Sequence, residues 1–389
     1  MTPFYALEHL EFIHRCREEG LTWQETADSF NAKFKTKKTH DTLRISYEYH
    51  KAGTTEELDV GVLKQTRTVR KSNARLRREA NIALDALNQR QDILDSIEQA
   101  IKKLSNIKAP QTAKPKVSKT KRNSTLELMF SDIHYGKKTE EVGLVDIRRR
   151  VREVADALIF KIGVESKMYN ITEVLIACLG DVIESASMHG EESVRGCEFG
   201  NAKQVAVAIE SIFEDLLYPL AATGYPLTFL GIPGNHDRAG PKRTYHNPGE
   251  ERLTYTIYKT LELLCKAAKI KNIKFIIPKE SYKVYKIYGS NYLYEHGYNV
   301  KPSLESCEKL INSRQTQYGE IIAGLRLGHW HQLMMFGRGR VIINESVIGP
   351  DSFSKELGFT SKAGQTIVQY IETERRDSPF YQIFPVYLS

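Results

Sequence analysis

The stretch Phe-Leu-Gly-Ile-Pro-Gly-Asn-His-Asp, FLGIPGNHD at residues 229–237, sets the first question. A short apolar run of strand type stops at Pro233-Gly234, and three polar side chains follow at once: Asn235, His236 and Asp237. Taken alone this is an ordinary turn, since Pro, Gly, Asn and Asp all favour turns. Its meaning depends on whether other strands end in the same manner.

They do. Beyond residue 124, strand-like runs alternate with helical ones, which is the pattern of an α/β domain. The strands expected are TLELMFS, EVLIACL, LTFLGI, IKFII, NYLYE and IIAGLRL, then the short runs LMMFG, VIINE and TIVQYI. Helices are expected at roughly 144–167, 202–222, 250–269 and 303–317. Polar motifs stand at the ends of five strands. Asp132-Ile133-His134 follows the first, Gly180-Asp181 the second, and Gly234-Asn235-His236-Asp237 the third. His296-Gly297 follows NYLYE, and Gly328-His329-Trp330-His331 follows IIAGLRL. Ligand sites of α/β folds gather beyond the carboxyl ends of strands, so these distant segments can converge.

Together they supply carboxylate, amide and imidazole donors without sulfur, a set suited to two borderline-hard divalent cations. One such motif alone would be a turn or a satisfied core histidine; five in order at strand ends point to a metal site.

The set resembles that of the calcineurin-like metallophosphoesterases, whose motifs read DxH, GDxx, GNHD/E, H and GHxH. The resemblance covers residues 125 to about 350 and is complete. It implies a metallophosphoesterase β-sandwich flanked by helices. One cation would be held by Asp132, His134, Asp181 and His331, and the other by Asp181, Asn235, His296 and His329. Such a pair of cations binds phosphate oxygens and acidifies a water into a nucleophile. Mn²⁺ is the expected metal, with Fe²⁺, Zn²⁺ or Mg²⁺ as alternatives. His236, left without a metal, would donate the proton to the leaving group, with Asp237 orienting its imidazole. Protein Ser/Thr phosphatases of the superfamily continue GD with a segment ending Asp-Arg-Gly, whereas this chain reads GDVIESASMHG. His189 stands where the family's DNA-repair nucleases often carry a further histidine, though eight residues on. Arg238, Lys242 and Arg243, after GNHD, are candidates to grip flanking phosphates, a solvated loop being the plain alternative.

The first third differs in character. Residues 1–124 hold 24 Lys+Arg against 16 Asp+Glu, and the rest of the chain holds 32 of each, so all of the net +8 lies there. Such asymmetry suggests a polyanion-binding appendage on a neutral body. Residues 1–55 read as three short helices, with Thr22 and Glu25 in capping-box spacing, and resemble a helix-turn-helix domain of the homeodomain or Myb-like kind. Arg44, Ser46, Tyr47 and His50 on the third helix are then the expected groove contacts; a small helical bundle binding protein is the alternative. Residues 56–104 form a long amphipathic helix. From Val62 to Leu104 a four-three spacing is apolar except at Thr66, Asn73 and Arg90, as in a coiled coil or a long helical hairpin. A homodimer through this helix is expected. Residues 105–124, with six positive charges and no acids, read as a flexible basic linker to the phosphoesterase domain at 125–389.

No apolar run reaches a membrane span, and the N-terminus lacks the uninterrupted apolar stretch of a signal peptide. Five scattered cysteines without a CxxC pair fit a reducing cytoplasm and exclude a cysteine zinc site. The expectation is a two-metal phosphodiesterase acting on DNA, a nuclease delivered by its N-terminal module. The alternatives are a small-molecule or nucleotide phosphoesterase, which would depend little on residues 1–124, and a non-catalytic scaffold.

Overall fold

The computed structural model describes residues 7–51, 60–112, 115–186, 194–238, 247–349, 362–373 and 380–389. The chain divides into two compact units, Met1–Ala86 and Leu87–Ser389. Among the described residues no helix is long and apolar enough to cross a membrane.

In the first unit, α1 (Leu7–Glu18), α2 (Trp23–Phe34) and α3 (His40–Lys51) are short helices. The capping box at α2 forms: the Thr22 side chain accepts from the Glu25 N–H, and the Glu25 carboxylate accepts from the Thr22 N–H at 2.7 Å. Ile13, Ala27, Phe30 and Leu43 form the core, with Phe12, Trp23, Phe34 and Tyr47 packed around it. This corrects the expectation for α3. Ser46 and Tyr47 lie three and four residues after the buried Leu43, so all three share the inward face. Ser46 is buried and donates to the Thr42 carbonyl at 2.8 Å, while the Tyr47 ring packs 5.8 Å from Trp23. Ser46 is thus not presented as a groove contact, while Tyr47 is half-buried. Arg44 and His50 are exposed, Arg44 lying 3.4 Å from Asp41.

The long helix α4 runs from Val60 to Leu104. Its last turns belong to the second unit, where Ile97, Ala100 and Leu104 are buried in the main core cluster. The segment after it is also tied down, which corrects the reading of a flexible linker. Ile107 packs on the same cluster. The Asn170 side chain accepts from the Ser118 N–H and donates to the Ser118 and Lys121 carbonyls, at 2.8–2.9 Å.

The second unit contains two sheets. In the first, β1 (Asn123–Phe130), β2 (Asn170–Cys178), β3 (Leu227–Gly231) and β4 (Ile273–Ile276) are parallel; β10 (Gly364–Ile371) and β11 (Phe380–Tyr387) extend it antiparallel beyond β1. The second has the order β5-β6-β7-β9-β8, from β5 (Tyr282–Ile287), β6 (Ser290–Glu295), β7 (Ile322–Leu327), β8 (Met334–Phe336) and β9 (Val341–Ile343). There β6, β7 and β9 are parallel. Sequence reading overlooked β5 and β11. Pro385 argues against a strand in the run FYQIFPVY, but β11 is an edge strand, where proline is tolerated.

Strand alternation divides the core. Leu126, Leu128 and Phe130 join the cluster that holds helices α5 (Leu144–Glu165), α6 (Asn201–Ser211) and α8 (Leu253–Ala267); α6 continues through a π-helical segment, Ile212–Leu217, into α7 (Tyr218–Ala222). Met129, Leu175, Ala177 and Leu230 turn the other way and pack with Ile287, Tyr292 and Ile342 of the second sheet. Outside that sheet lies α9 (Leu304–Tyr318), through Cys307 and Ile311. The result is the helix-flanked β-sandwich expected. Arg326 of β7 is fully buried between the sheets, donating to the Tyr370 hydroxyl at 2.8 and 3.1 Å and lying 3.5 Å from Glu127.

Leu104→Ala should destabilise residues 87–389 by about 2–5 kcal/mol, as for a fully buried leucine. Val117→Ala, at an exposed position, should stay within about 0.5 kcal/mol of the parent. Urea unfolding midpoints check both.

Candidate metal centre

All five polar motifs meet at the carboxyl ends of β1, β2, β3, β6 and β7. The turn after β1 is zipped to the turn after β2: Asp132 N–H donates to the Gly180 carbonyl at 3.0 Å, and His134 N–H to the Asp181 carbonyl at 3.1 Å. The turns after β2 and β3 touch backbone to backbone. A Cβ on Gly180 would stand 2.3 Å from the Gly234 nitrogen, and one on Gly234 would stand 2.1 Å from the Asp181 nitrogen. No side chain fits at either position.

Five of the expected ligands have left-handed backbone: Asp132 (φ 54°), His134 (52°), Asp181 (50°), His329 (72°) and His331 (54°). This conformation is unfavourable for residues with a Cβ and persists only where surrounding structure enforces it. Here the enforcement is visible. The Asp132 carbonyl accepts from Ser346 Oγ and the Val347 N–H, both at 3.1 Å, and its carboxylate accepts from the His329 N–H at 3.0 Å.

The expected ligands form two constellations, and His134, Glu184 and His236 form a third group that could hold a cation. In one, His331 Nε2 lies 3.2 Å from His134 Nε2 and 3.3 Å from Asp132 Oδ1. In the other, His296 Nε2 lies 3.0 Å from both Asp181 Oδ2 and Asn235 Oδ1, and His329 belongs to the same cluster. His296 Nδ1 donates to the Leu179 carbonyl at 2.7 Å, which directs its Nε2 at the acids. Asp132, His134, Asp181 and His296 are buried, while Asn235, His236, His329 and His331 are half-buried and form the open side.

Electrostatics favour a cation at this place. Burial lowers the His134 pKa and, with His296 adding to the effect, brings His329 down to about 4, so both present neutral nitrogens. Burial opposes ionisation of Asp181, but His296 and His236 outweigh it and hold the carboxyl well below its ordinary range. Burial likewise opposes charging of His296, yet the adjacent Asp181 pushes it up to about 9. Two buried carboxylates facing imidazole and amide donors call for positive charge between them. Divalent cations with oxygen and nitrogen ligands satisfy this donor set.

Asp237 has a different task from the one expected. Its carboxylate accepts the backbone N–H groups of Asp181 (3.0 Å), Val182 (2.9 Å), Ile183 (3.3 Å) and Gly234 (2.6 Å). It staples two turns together and does not orient His236. Glu184 does that. His236 Nδ1 donates to the Glu184 carbonyl at 2.8 Å, and the Glu184 carboxylate lies 3.7 Å from the same nitrogen. The Glu184 carboxylate also lies 2.7 Å from His134 Nδ1 and 3.0 Å from Lys137 Nζ. Burial opposes its ionisation, but His134, His236 and Lys137 bring its pKa down to about 2. Sequence reading passed over Glu184; its signal was a carboxylate three residues after the strand-end Gly-Asp.

Arg238 is also reassigned. It is buried, and its Nε donates to the Asn235 carbonyl at 2.7 Å, bracing the turn. Arg252 reaches the same turn through the Gly234 carbonyl and lies over the Tyr298 ring at 5.4 Å. His189, Lys242 and Arg243 lie outside the described residues.

No protein-family model matches the chain, and no curated protein does. Solved structures with some likeness include an archaeal phosphodiesterase, 9% identical over 67% of this chain and 99% of its own, with a TM-score of 0.32. A predicted phosphoesterase from Streptococcus pneumoniae is 12% identical over 67% of this chain and 98% of its own, TM-score 0.28. Vps29 from Entamoeba histolytica, complexed with zinc, is also 12% identical over 67% and 98%, TM-score 0.25.

Asp237→Ala leaves four backbone donors without their acceptor, at about 1–3 kcal/mol for each that stays buried and unsatisfied. It should lower the melting temperature and the bound metal together, measured by calorimetry and elemental analysis. Glu184 stabilises the fold fully above its ordinary value of 4.5, and that contribution fades as pH falls towards about 2. In metal-free protein, the stability gap between the parent and Glu184→Gln should therefore narrow over that window, as read by urea midpoints.

Proposed function

We propose that this chain is a metal-dependent phosphodiesterase that hydrolyses DNA, with its N-terminal third as the DNA-binding part. The observation that carries the reading is a half-buried histidine that meets the expected ligands: the His236 ring lies 4.8 Å from that of His134, and its Nδ1 is engaged by the Glu184 carbonyl. Hydrolysis of a phosphodiester needs charge neutralisation, a nucleophile, and a proton for the departing oxygen.

Asp132, His134, Asp181 and His331 would hold one cation, and Asp181, Asn235, His296 and His329 the other. When bound, such cations neutralise phosphoryl oxygens and lower the pKa of water. The remaining work falls to the protein. The Glu184 carbonyl accepts the Nδ1 proton of His236, so in the imidazolium form the second proton sits on Nε2, which gives it to the leaving oxygen as its bond to phosphorus breaks and leaves His236 neutral. Asp237, Arg238 and Arg252 keep the His236 turn in place.

DNA as the substrate is supported by the exposed Arg44 and His50 of the three-helix unit and by seven Lys or Arg, with no acid, in residues 64–78. Residues 105–124 add six basic residues and no acid. Backbone phosphates are recognised largely by such charge.

His236→Asn should retain both metals yet fall about 10²–10⁴-fold in hydrolysis. Elemental analysis and cleavage of a panel of linear, nicked, single-stranded and circular DNA with Mn²⁺ or Mg²⁺ check this. Depletion of metal in His236→Asn would remove histidine from the role assigned. Chelation should abolish cleavage, and Mn²⁺ should restore it better than Mg²⁺.

A chain of residues 87–389 keeps every ligand and the buried turns of α4, so it should still cleave a small activated diester. Its affinity for duplex DNA should fall, and the slope of log K against log salt should flatten by roughly 0.9 for each phosphate that the shortened chain no longer neutralises. Binding titrations of the full and shortened chains over one salt series, in a His236→Asn background, provide the comparison.

A further inference from the structure

The helix α4 has two apolar faces, and the body covers only one. Ile97, Ala100 and Leu104, with Ile93 beside them, lie in the core cluster of residues 87–389. Positions 76, 80, 83, 87, 94 and 101 follow another line, turned by roughly 90° at 3.6 residues per turn. Leu76, Leu87 and Leu94 on that line are 58, 59 and 60% exposed. Its four-three spacing is that of a coiled-coil seam.

The seam reads alike in both directions. Counted outward from the midpoint between Ala80 and Ala83, Leu76 on one side matches Leu87 on the other. One layer further, the two polar interruptions coincide, Asn73 with Arg90, and beyond them the sequence places Val69 opposite Leu94. Charge follows the same rule. Residues 64–78 hold seven basic residues and no acid, whereas residues 79–98 hold five acids and one arginine. An antiparallel pair lays each basic half along the partner's acidic half; a parallel pair stacks like on like.

We propose that α4 pairs with α4 of a second copy of this chain as an antiparallel coiled coil, its two-fold axis passing between Ala80 and Ala83. The contact is isologous and closes as a dimer. The small residues at the axis allow close approach, and Asn73 opposite Arg90 fixes the register, since slippage by one heptad would break that polar pair and set Asn73 against Ala83 or Ile97.

Sedimentation velocity of the full chain without DNA should show a dimer at micromolar concentration. Leu76→Glu/Leu87→Glu should sediment as a monomer with unchanged helical circular dichroism and unchanged metal content, because both positions are exposed. Orientation is read by cysteine cross-linking in a Cys197→Ser background. Differently tagged Leu76→Cys and Leu87→Cys chains, mixed and oxidised, should form the mixed disulfide, with little disulfide from Leu76→Cys alone. A monomeric parent, a dimer that survives the double glutamate variant, or a dominant Leu76→Cys homodisulfide would each overturn the proposal.

Discussion

Two carboxylates, Asp132 and Asp181, are buried at the ends of neighbouring parallel strands, and the surrounding structure follows from the need to balance their charge. An isolated carboxylate in such a place is strongly unfavourable and would take up a proton. These stay ionised because imidazoles crowd them: His331 beside Asp132, and His296 with His236 beside Asp181. The histidines arrive from other strands. Bringing them together requires β6 and β7 of the second sheet to end where β1 and β2 of the first sheet end. Packing of one sheet on the other, through Met129, Leu175, Tyr292 and Ile342, brings those ends into register.

Holding acids, amide and imidazoles on one point forces the backbone into conformations it would otherwise avoid. Five expected ligands have positive φ, and the turns carrying them stay in place by bonding to one another. Asp237 takes four backbone N–H groups, and Ser346 and Val347 secure the Asp132 carbonyl. Such preorganisation leaves little to rearrange when charge develops on a substrate. Glu184 links His134, an expected ligand, to His236, so the two imidazoles share one support.

Helix α4 serves two surfaces because its apolar residues fall on two lines. Ile97, Ala100 and Leu104 complete the core of the second unit, and Leu76, Leu87 and Leu94 do not. A single seam drawn through the whole helix merges them. Reading residues 125–389 as a self-sufficient body therefore omits part of its own core.

Much of the centre was legible in the sequence, and the reason is local. A strand followed by Gly and then a polar pair is written in consecutive residues, so Asp132, His134, Asp181, Asn235, His296, His329 and His331 could be named and ordered. The alternation that faces Leu126 and Met129 to opposite sides was equally plain. What tertiary structure decided was which group serves which. Asp237 adjoins His236 in sequence, yet its carboxylate points back under the turn to the N–H groups of residues 181–183, and Glu184 from another strand end reaches the imidazole. Arg238 looked available because it follows a loop motif, but the turn folds it inward onto the Asn235 carbonyl. Ser46 and Tyr47 were expected as groove contacts because they lie on the third helix, whereas the position of Leu43 turns Ser46 inward and packs Tyr47 against the core. Hydrogen-bond partners and the buried side of a short helix depend on residues far away in the chain, and no local pattern encodes them.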